Sequence, residues 1–376
     1  MDASDSELLI TSAVVPYGPS ASTCGYCGPS GQRSELPTFL SQSTFVALRL
    51  LPDFYQGMID RGWRRSGTYC YKPDLKASCC PQYTIKLDAL GFAPTKGQRK
   101  LLNRWNRFVL DGDTKNAMDT DRNDNNEVDD RIPSGSPKNT KRFDLDEAIH
   151  VSECAFVGER AVAHKFEVVL EPSSFTEEKF TLYQNYEANI HHKPEKLASS
   201  FDDFLVESPL IRGPIPYPSP PPSHLPTEWG SYHQLYRLDG KLIAMGVIDI
   251  LPSCISSVYF MWEKEYEKFS LGKLSALREI SLAREIHKAG SSQMNYLYMG
   301  FYIHTCQKMR YKGEYHPSYL ADPEDFTWHA LEKCRSLLDS NRYACFSHPE
   351  HSMSKEDPLP SSRTKVRSAS LCLSSV

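Results

Sequence analysis

The sequence predicts a mixed α/β (α+β) chain in two folded parts. The first is a cysteine-rich, metal-binding part at the N-terminal end. The second is a larger sheet-and-helix part. Three observations carry this expectation. Short cysteine pairs sit in the first part, at Cys24 and Cys27 and at Cys79 and Cys80. A strand, strand, strand, helix, strand order runs from Tyr232 to Ile303. Polar or proline-dense stretches with few apolar residues separate the blocks.

The elements follow in order. At 376 residues the chain is long enough for two domains with sizeable cores. Residues 1–110 hold the cysteine motifs and end in a helix. Residues 111–142 are rich in Asp, Asn, Lys and Ser and read as a disordered acidic and polar insertion. Residues 143–346 form the second part, interrupted by a proline-dense loop at 212–226. Residues 347–376 are polar and serine-rich and read as a disordered tail. Within the second part, a strand at Ala161–Leu170 precedes a helix near Ser174, where Ser174 and Glu177 have capping-box spacing. Tyr232–Leu238 reads as a strand, Asp239-Gly240 as a hairpin turn, and Leu242–Leu251 and Ser256–Trp262 as further strands. Ser270 starts a helix that runs to His287, and Asn295–Ile303 returns as a strand. The order suits an acyltransferase core, and other α+β domains share it.

Charge and composition narrow the function classes. The net charge is −4, so a nucleic-acid partner needs a local basic patch. The count of 11 cysteines is odd, so they cannot all pair internally. The acidic start, with Asp2, Asp5 and Glu7, argues against a secretory signal. No stretch is long and apolar enough to span a membrane. Cys372 stands one position too far from the end for prenylation. A cytoplasmic and nuclear location is expected, where clustered thiols more often bind metal than form disulfides.

Three constellations carry chemistry. Cys24-Gly25-Tyr26-Cys27 with Cys79-Cys80 offers four thiolates, which are soft ligands for zinc or an iron–sulfur centre. A redox-active C-x-x-C and unrelated structural thiols are the alternatives. Lys96, Arg99, Lys100, Arg104 and Arg107 recur along one stretch, four of them at helical spacing, while Leu101, Leu102, Trp105 and Phe108 form the docking side. Such a stripe suits a phosphate backbone, or is simply a solvated face. Asp249 lies inside an apolar strand, where a bare carboxylate is costly. It receives a guanidinium through a two-bond fork, or it is held by an internal salt bridge to a residue such as Arg237 or Arg278. His233 and Gln234 stand beside Tyr232 on the neighbouring strand, as site residues or as satisfied structural ones. Gly272 opens the long helix, whose first N–H groups hold a phosphate or are capped by Ser270. Arg64 and Arg65, in a basic and aromatic stretch, bind an anion or form a charged loop.

Several long stretches resemble the eukaryotic arginyl-tRNA–protein transferase family. They are Cys24–Cys27, Arg61–Gly67, Leu101–Phe108, Gly230–Pro252, Ser270–Ile280, Tyr298–Lys312 and Tyr315–Leu320, with Trp328. The resemblance implies that Cys24, Cys27, Cys79 and Cys80 bind metal, as an iron–sulfur cluster or zinc. It implies a C-terminal domain similar to GNAT acyltransferases. It also implies transfer of arginine from Arg-tRNA to protein N-termini beginning with Asp, Glu or oxidised Cys, which marks them for ubiquitin-dependent degradation in the N-degron pathway. Such a reaction needs a tRNA surface, an acidic pocket for arginine, a cationic pocket for the acceptor and a dry junction. The expected roles are Lys96, Arg99, Lys100, Arg104, Arg107 and Gly272 for tRNA, and Asp249 for the guanidinium. Arg64, Arg65 and Arg237 are expected to bind the acceptor, with Tyr232, His233 and Gln234 at the junction. Two rivals remain. An acetyl-CoA-dependent N-acetyltransferase calls for a glycine-rich loop where only Gly272 is found. A non-catalytic metal-containing RNA-binding module leaves the 232–303 block without a task.

Overall fold

The computed structural model describes residues 11–29, 32–112 and 143–357. Nearly all of the expected insertion, and the tail from 358 on, lie outside them.

A four-stranded antiparallel sheet forms first. Its strands are β1 (Ala13–Ser22), β2 (Phe39–Arg49), β3 (Arg64–Ser66) and β4 (Tyr69–Pro73), in the order β1-β2-β4-β3. The short helix α1 (Pro52–Ile59) packs Tyr55, Met58 and Ile59 beneath it. Gly67 turns the β3–β4 corner with φ 58°, and a Cβ there would meet the Asp203 carbonyl oxygen at 1.9 Å. Only glycine fits this close approach.

The second sheet has nine strands: β5 (Tyr83–Asp88), β6 (Phe166–Pro172), β7 (Gly213–Pro214), β8 (Glu228–Leu238), β9 (Lys241–Leu251), β10 (Cys254–Trp262), β11 (Tyr296–Tyr302), β12 (Ser318–Ala321) and β13 (Trp328–Ala330). Their order is β13-β12-β5-β11-β10-β9-β8-β6, with β7 paired to β8. The β8–β9 hairpin turns at Asp239 and Gly240, both at positive φ, as a tight two-residue turn requires. Strand β5 comes from the expected N-terminal part, yet it lies between β11 and β12. The cysteine-bearing segment is thus stitched into the large sheet.

Alternation along β8 and β9 sends side chains to two different cores. One face meets α2 (Lys96–Asp111) and the long helix α4 (Leu271–Lys288), burying Tyr232, Tyr236, Ile243, Ile248, Leu277 and Ile280. The other face buries Leu235, Met245 and Val247 under α3 (Glu177–Asn189). Helix α5 (Leu331–Ser340) follows β13 and contacts it and β12. Two expectations need correction. The cap of α3 is Thr176, whose hydroxyl accepts from Lys179 N, while Ser174 Oγ is held by the buried Lys179 ammonium instead. The expected tail is ordered at its start, where Met353–Ser354 pairs with Asn341–Tyr343.

Candidate active site at a split in the sheet

The large sheet parts in its middle. Strands β10 and β11 pair in parallel only between Cys254–Ser256 and Tyr296–Tyr298. Beyond that, β10 follows β9 and β11 follows β5. Each strand bends at the parting. Pairing with β9 is irregular between Ser257 and Tyr259, and pairing with β5 is irregular between Tyr298 and Phe301. Gly300, at φ 69°, makes the second bend in a conformation that L side chains rarely adopt.

The two sides of the split carry opposite charge. On the α4 side, Glu279 is 2% exposed. Its Oε1 accepts from Ser275 Oγ at 2.9 Å and from Ser257 Oγ at 3.4 Å. Among the described residues no cation pairs with it. Burial, only partly offset by the two hydroxyls, pushes its carboxyl up to about 7. On the β11 side, Arg64 is 7% exposed and donates only to backbone carbonyls, among them Gly300 O at 3.2 Å. Its guanidinium lies 5.0 Å from the Phe301 ring, and its Nε has no partner. Lys312 donates to Phe301 O at 2.8 Å. Burial and the neighbouring Arg64 push Lys312 down to about 7. Neither cation has a carboxylate partner among the described residues.

The expected site residues separate. Asp249 is fully buried, but its carboxylate is occupied: Arg65 Nε donates to Oδ2 at 2.9 Å, and Ser231 Oγ donates to Oδ1 at 2.6 Å. Arg65 also donates to Oδ1 and to Ser231 Oγ at 2.7 Å. The guanidinium assignment for Asp249 and the acceptor assignment for Arg65 are therefore corrected, because each saturates the other. The internal salt bridge is the one the strand required, with a partner other than Arg237 or Arg278. Arg278 pairs with Glu153. Arg237 makes a two-bond fork to Glu178, with NH1 to Oε1 at 2.8 Å and NH2 to Oε2 at 2.6 Å, on the α3 face away from the split. It too is corrected as an acceptor ligand. His233 is 0% exposed on that same face and bonds Leu205 O at 2.9 Å, with burial pushing it down to about 4. This puts it away from the junction expected for it, and its Nδ1 is buried without a partner among the described residues. Tyr232 faces the α4 side, where its hydroxyl donates to Glu228 O at 2.7 Å. Gln234 belongs to the cluster: Tyr236 OH donates to its Oε1 at 2.6 Å and lies 3.2 Å from Ser275 Oγ, which bonds Glu279.

Helix α2 bears the basic stripe. Thr95 and Gln98 cap it reciprocally, and Leu102, Trp105 and Val109 bury its apolar side. Lys96, Arg99 and Lys100 are exposed, and Arg104 and Arg107 are half-buried. Arg104 donates to Lys268 O at 2.8 Å. That ties the stripe to the turn before α4. Gly272 lies in the first turn of α4, and no side chain caps that end. A Cβ at Gly272 would meet only Phe260, at an ordinary 3.7 Å.

Cys24, Cys27, Cys79 and Cys80 converge, with all four sulfurs within 4.8 Å of one another. Cys79 and Cys27 Sγ are 3.8 Å apart. The set packs against Ile303, Cys306 and Met309, just beyond β11. Burial first, and then the charges of the neighbouring Cys24 and Cys79 sulfurs, push the Cys27 thiol up to about 11, because four sulfurs this close repel as thiolates. A soft cation would relieve that repulsion, and the donor set fits one.

Glu279 and Lys312 escaped the reading of the sequence alone. One available signal was Glu279 standing one helical turn after Ser275 on a face that is otherwise apolar.

The sequence pattern of the family described as "Arginine-tRNA-protein transferase, N terminus" matches residues 22–100, and that of "Arginine-tRNA-protein transferase, C terminus" matches 178–322. The chain is 30% identical to arginyl-tRNA–protein transferase 2 of Arabidopsis thaliana, over 96% of its own length and 82% of the relative's. It is 31% identical to arginyl-tRNA–protein transferase 1 of Drosophila melanogaster, over 88% of its length and 85% of that chain. It is 25% identical to an aspartate/glutamate leucyltransferase of Pseudomonas syringae, over 80% of its length and 91% of that chain. On these matches, which take in both the cysteine-bearing sheet and the split, the chain belongs to the arginyl-tRNA–protein transferase family.

Proposed function

We propose that this chain transfers arginine from Arg-tRNA to the N-terminal α-amine of an acceptor protein. The observation that carries the reading is family membership across both sheets, with relatives of that name matched over most of their length. The reaction is an aminolysis. The amine nitrogen attacks the aminoacyl ester carbonyl, the C–N bond forms, and the ester C–O bond breaks. The amine's proton ends on the released ribose oxygen. An α-amine titrates near 8, so a useful neutral fraction exists at neutral pH. Holding amine and ester together supplies much of the acceleration.

The split is the place for this junction. Lys96, Arg99, Lys100, Arg104 and Arg107 meet tRNA phosphates, and the open end of α4 at Gly272 takes a phosphate near the 3′ end. Arg64 and Lys312 receive the acceptor's acidic first residue: Asp, Glu or oxidised Cys. Among the described residues neither has a carboxylate partner, which supports this, as does the leucyltransferase relative named for aspartate and glutamate. Tyr232 and Gln234 line the α4 side. The same reading makes the product a mark for ubiquitin-dependent degradation in the N-degron pathway, in cytoplasm and nucleus.

Cys24, Cys27, Cys79 and Cys80 hold a metal centre. Four sulfurs within 4.8 Å of one another would hold a soft metal, as zinc or as an iron–sulfur centre. The centre supplies a crosslink between the small sheet and the segment after β11. Metal analysis with optical spectroscopy of anaerobically purified protein decides the matter. About one zinc without iron–sulfur absorption assigns zinc, and iron with sulfide in stoichiometric amounts assigns the cluster; protein that holds neither would overturn the metal centre.

The function is tested with labelled arginine, tRNA, an arginyl-tRNA synthetase and paired peptides that begin with Asp or Asn. Label is expected on the Asp peptide, and far less on the Asn peptide. Label on neither would sink the transferase reading. Equal label on both would remove the cationic acceptor pocket and leave the transfer.

A further inference from the structure

We infer that Glu279 reads the arginyl side chain, its carboxylate receiving the guanidinium of the aminoacyl group inside the split. The inference rests on the transferase reading and names the residue that selects arginine over other amino acids.

Four observations support it. First, among the described residues Glu279 is a buried acid that has neither a cation nor a backbone N–H donor, whereas the other buried acids are matched; Asp322, which also lacks a cation, accepts backbone N–H bonds from Phe346 at 2.7 Å and Ser347 at 3.0 Å. Asp249 has Arg65, Glu153 has Arg278, and Glu187 has Lys193 at 3.2 Å. A carboxylate left bare in an apolar setting is costly, and an arriving cation removes the cost. Second, both hydroxyl bonds fall on Oε1, so Oε2 is left for a second partner. Third, Ser275 and Ser257 fix the carboxylate at the parting of the strands. Ser257 is the first residue of β10 beyond its pairing with β11. Gly272, Ser275 and Glu279 share one face of α4, and Glu279 stands about 10 Å along the axis from Gly272. A phosphate at the helix start and an amino-acid side chain at Glu279 are separated by roughly a ribose and an ester. Fourth, the charges fall on opposite sides. Successive side chains of an extended chain point in opposite directions. A newly joined Arg–Asp or Arg–Glu start therefore sends its cation one way and its anion the other. Glu279 lies on the α4 side, and Arg64 and Lys312 lie on the β11 side. Among the described residues Glu279 bonds to hydroxyls, and Arg64 and Lys312 bond to backbone carbonyls, so the acid is not ion-paired with these cations.

The phenols of Tyr236, Tyr311 and Tyr315 lie near enough to feel the Glu279 charge, and burial keeps them neutral. The buried Tyr315 hydroxyl has no partner. Aromatic rings and phenol oxygens thus stand near the carboxylate, a setting that suits a planar guanidinium.

The test compares two donors on the same tRNA: one charged with arginine, the other with citrulline, its uncharged isostere. Transfer to one Asp-starting peptide is measured for wild type and for Glu279→Gln. The wild type is expected to prefer the arginyl donor by about 100-fold in kcat/KM. In Glu279→Gln the preference should collapse to within a few-fold, because arginyl transfer falls far more than citrullyl transfer. Thermal melting accompanies each assay, and Glu279→Asp serves as the charge-retaining second variant, expected to keep part of the preference. An unchanged arginine-to-citrulline ratio in Glu279→Gln would overturn this assignment alone. Loss of both transfers in a variant that melts like wild type would also overturn it, by giving Glu279 a task unrelated to side-chain charge. A wild type that transfers neither residue overturns the transferase reading itself.

Discussion

At the scale of single residues, the decisive fact is which buried charges are matched. Asp249 is a carboxylate inside an apolar strand, and the sequence alone shows that it needs a partner. What it cannot show is which partner. Arg65 lies 184 positions away, and its approach depends on how the small sheet docks. The same reasoning explains why Glu279 was missed: in sequence it is one acid among many on a helix, and its isolation is visible only once its neighbours are known. Asp249→Ala is expected to destabilise the fold by about 3–5 kcal/mol, because it strands a buried guanidinium. Replacing both partners, with Arg65→Met and Asp249→Leu, should recover much of that loss. Denaturant unfolding measures both. An Asp249→Ala protein as stable as wild type, with arginine use alone impaired, would return Asp249 to the binding role.

At the scale of elements, periodicity made most of the large sheet legible. The strands β8 to β11 and helix α4 fall close to where alternation, the Asp-Gly turn and helical spacing place them, with ends displaced by a few residues. Helix α2 was legible too, because its basic and apolar faces are local features; its Thr95–Gln98 capping pair was missed. The parting of β10 from β11 was not, because parallel neighbours separated by a helix leave no mark on their pairing length. Helix α2 makes a quantitative expectation possible. Lys96→Glu with Lys100→Glu should weaken tRNA binding about 10- to 100-fold at moderate salt and lower the salt dependence by about two counterions. Filter binding over a salt series reads both quantities. An unaltered slope would assign the stripe to ordinary solvated surface.

At the scale of the whole molecule, the two parts expected from composition are interlocked. Strand β5 follows the second cysteine pair and enters the large sheet directly, in contact with β11 and β12. The cysteine site thus sits at one end of the strand that carries Gly300 and Phe301, with Met309 touching both the cysteine cluster and Lys312. Loss of the metal proposed for these cysteines should loosen this corner first. The convergence of the two cysteine pairs was legible, since C-x-x-C and a vicinal pair have few other shared uses. Their placement against the split was not, because it follows from the docking of two sheets. Among the described residues no helix is long and apolar enough to cross a membrane.

The most direct test of the central claim is mass analysis of an Asp-starting peptide after incubation with purified, metal-loaded protein and pre-charged Arg-tRNA. The account predicts a gain of one arginine residue, located by fragmentation on the N-terminal amine, and none when that amine is acetylated beforehand. An unmodified peptide under these conditions, or arginine attached elsewhere on the chain, would contradict it.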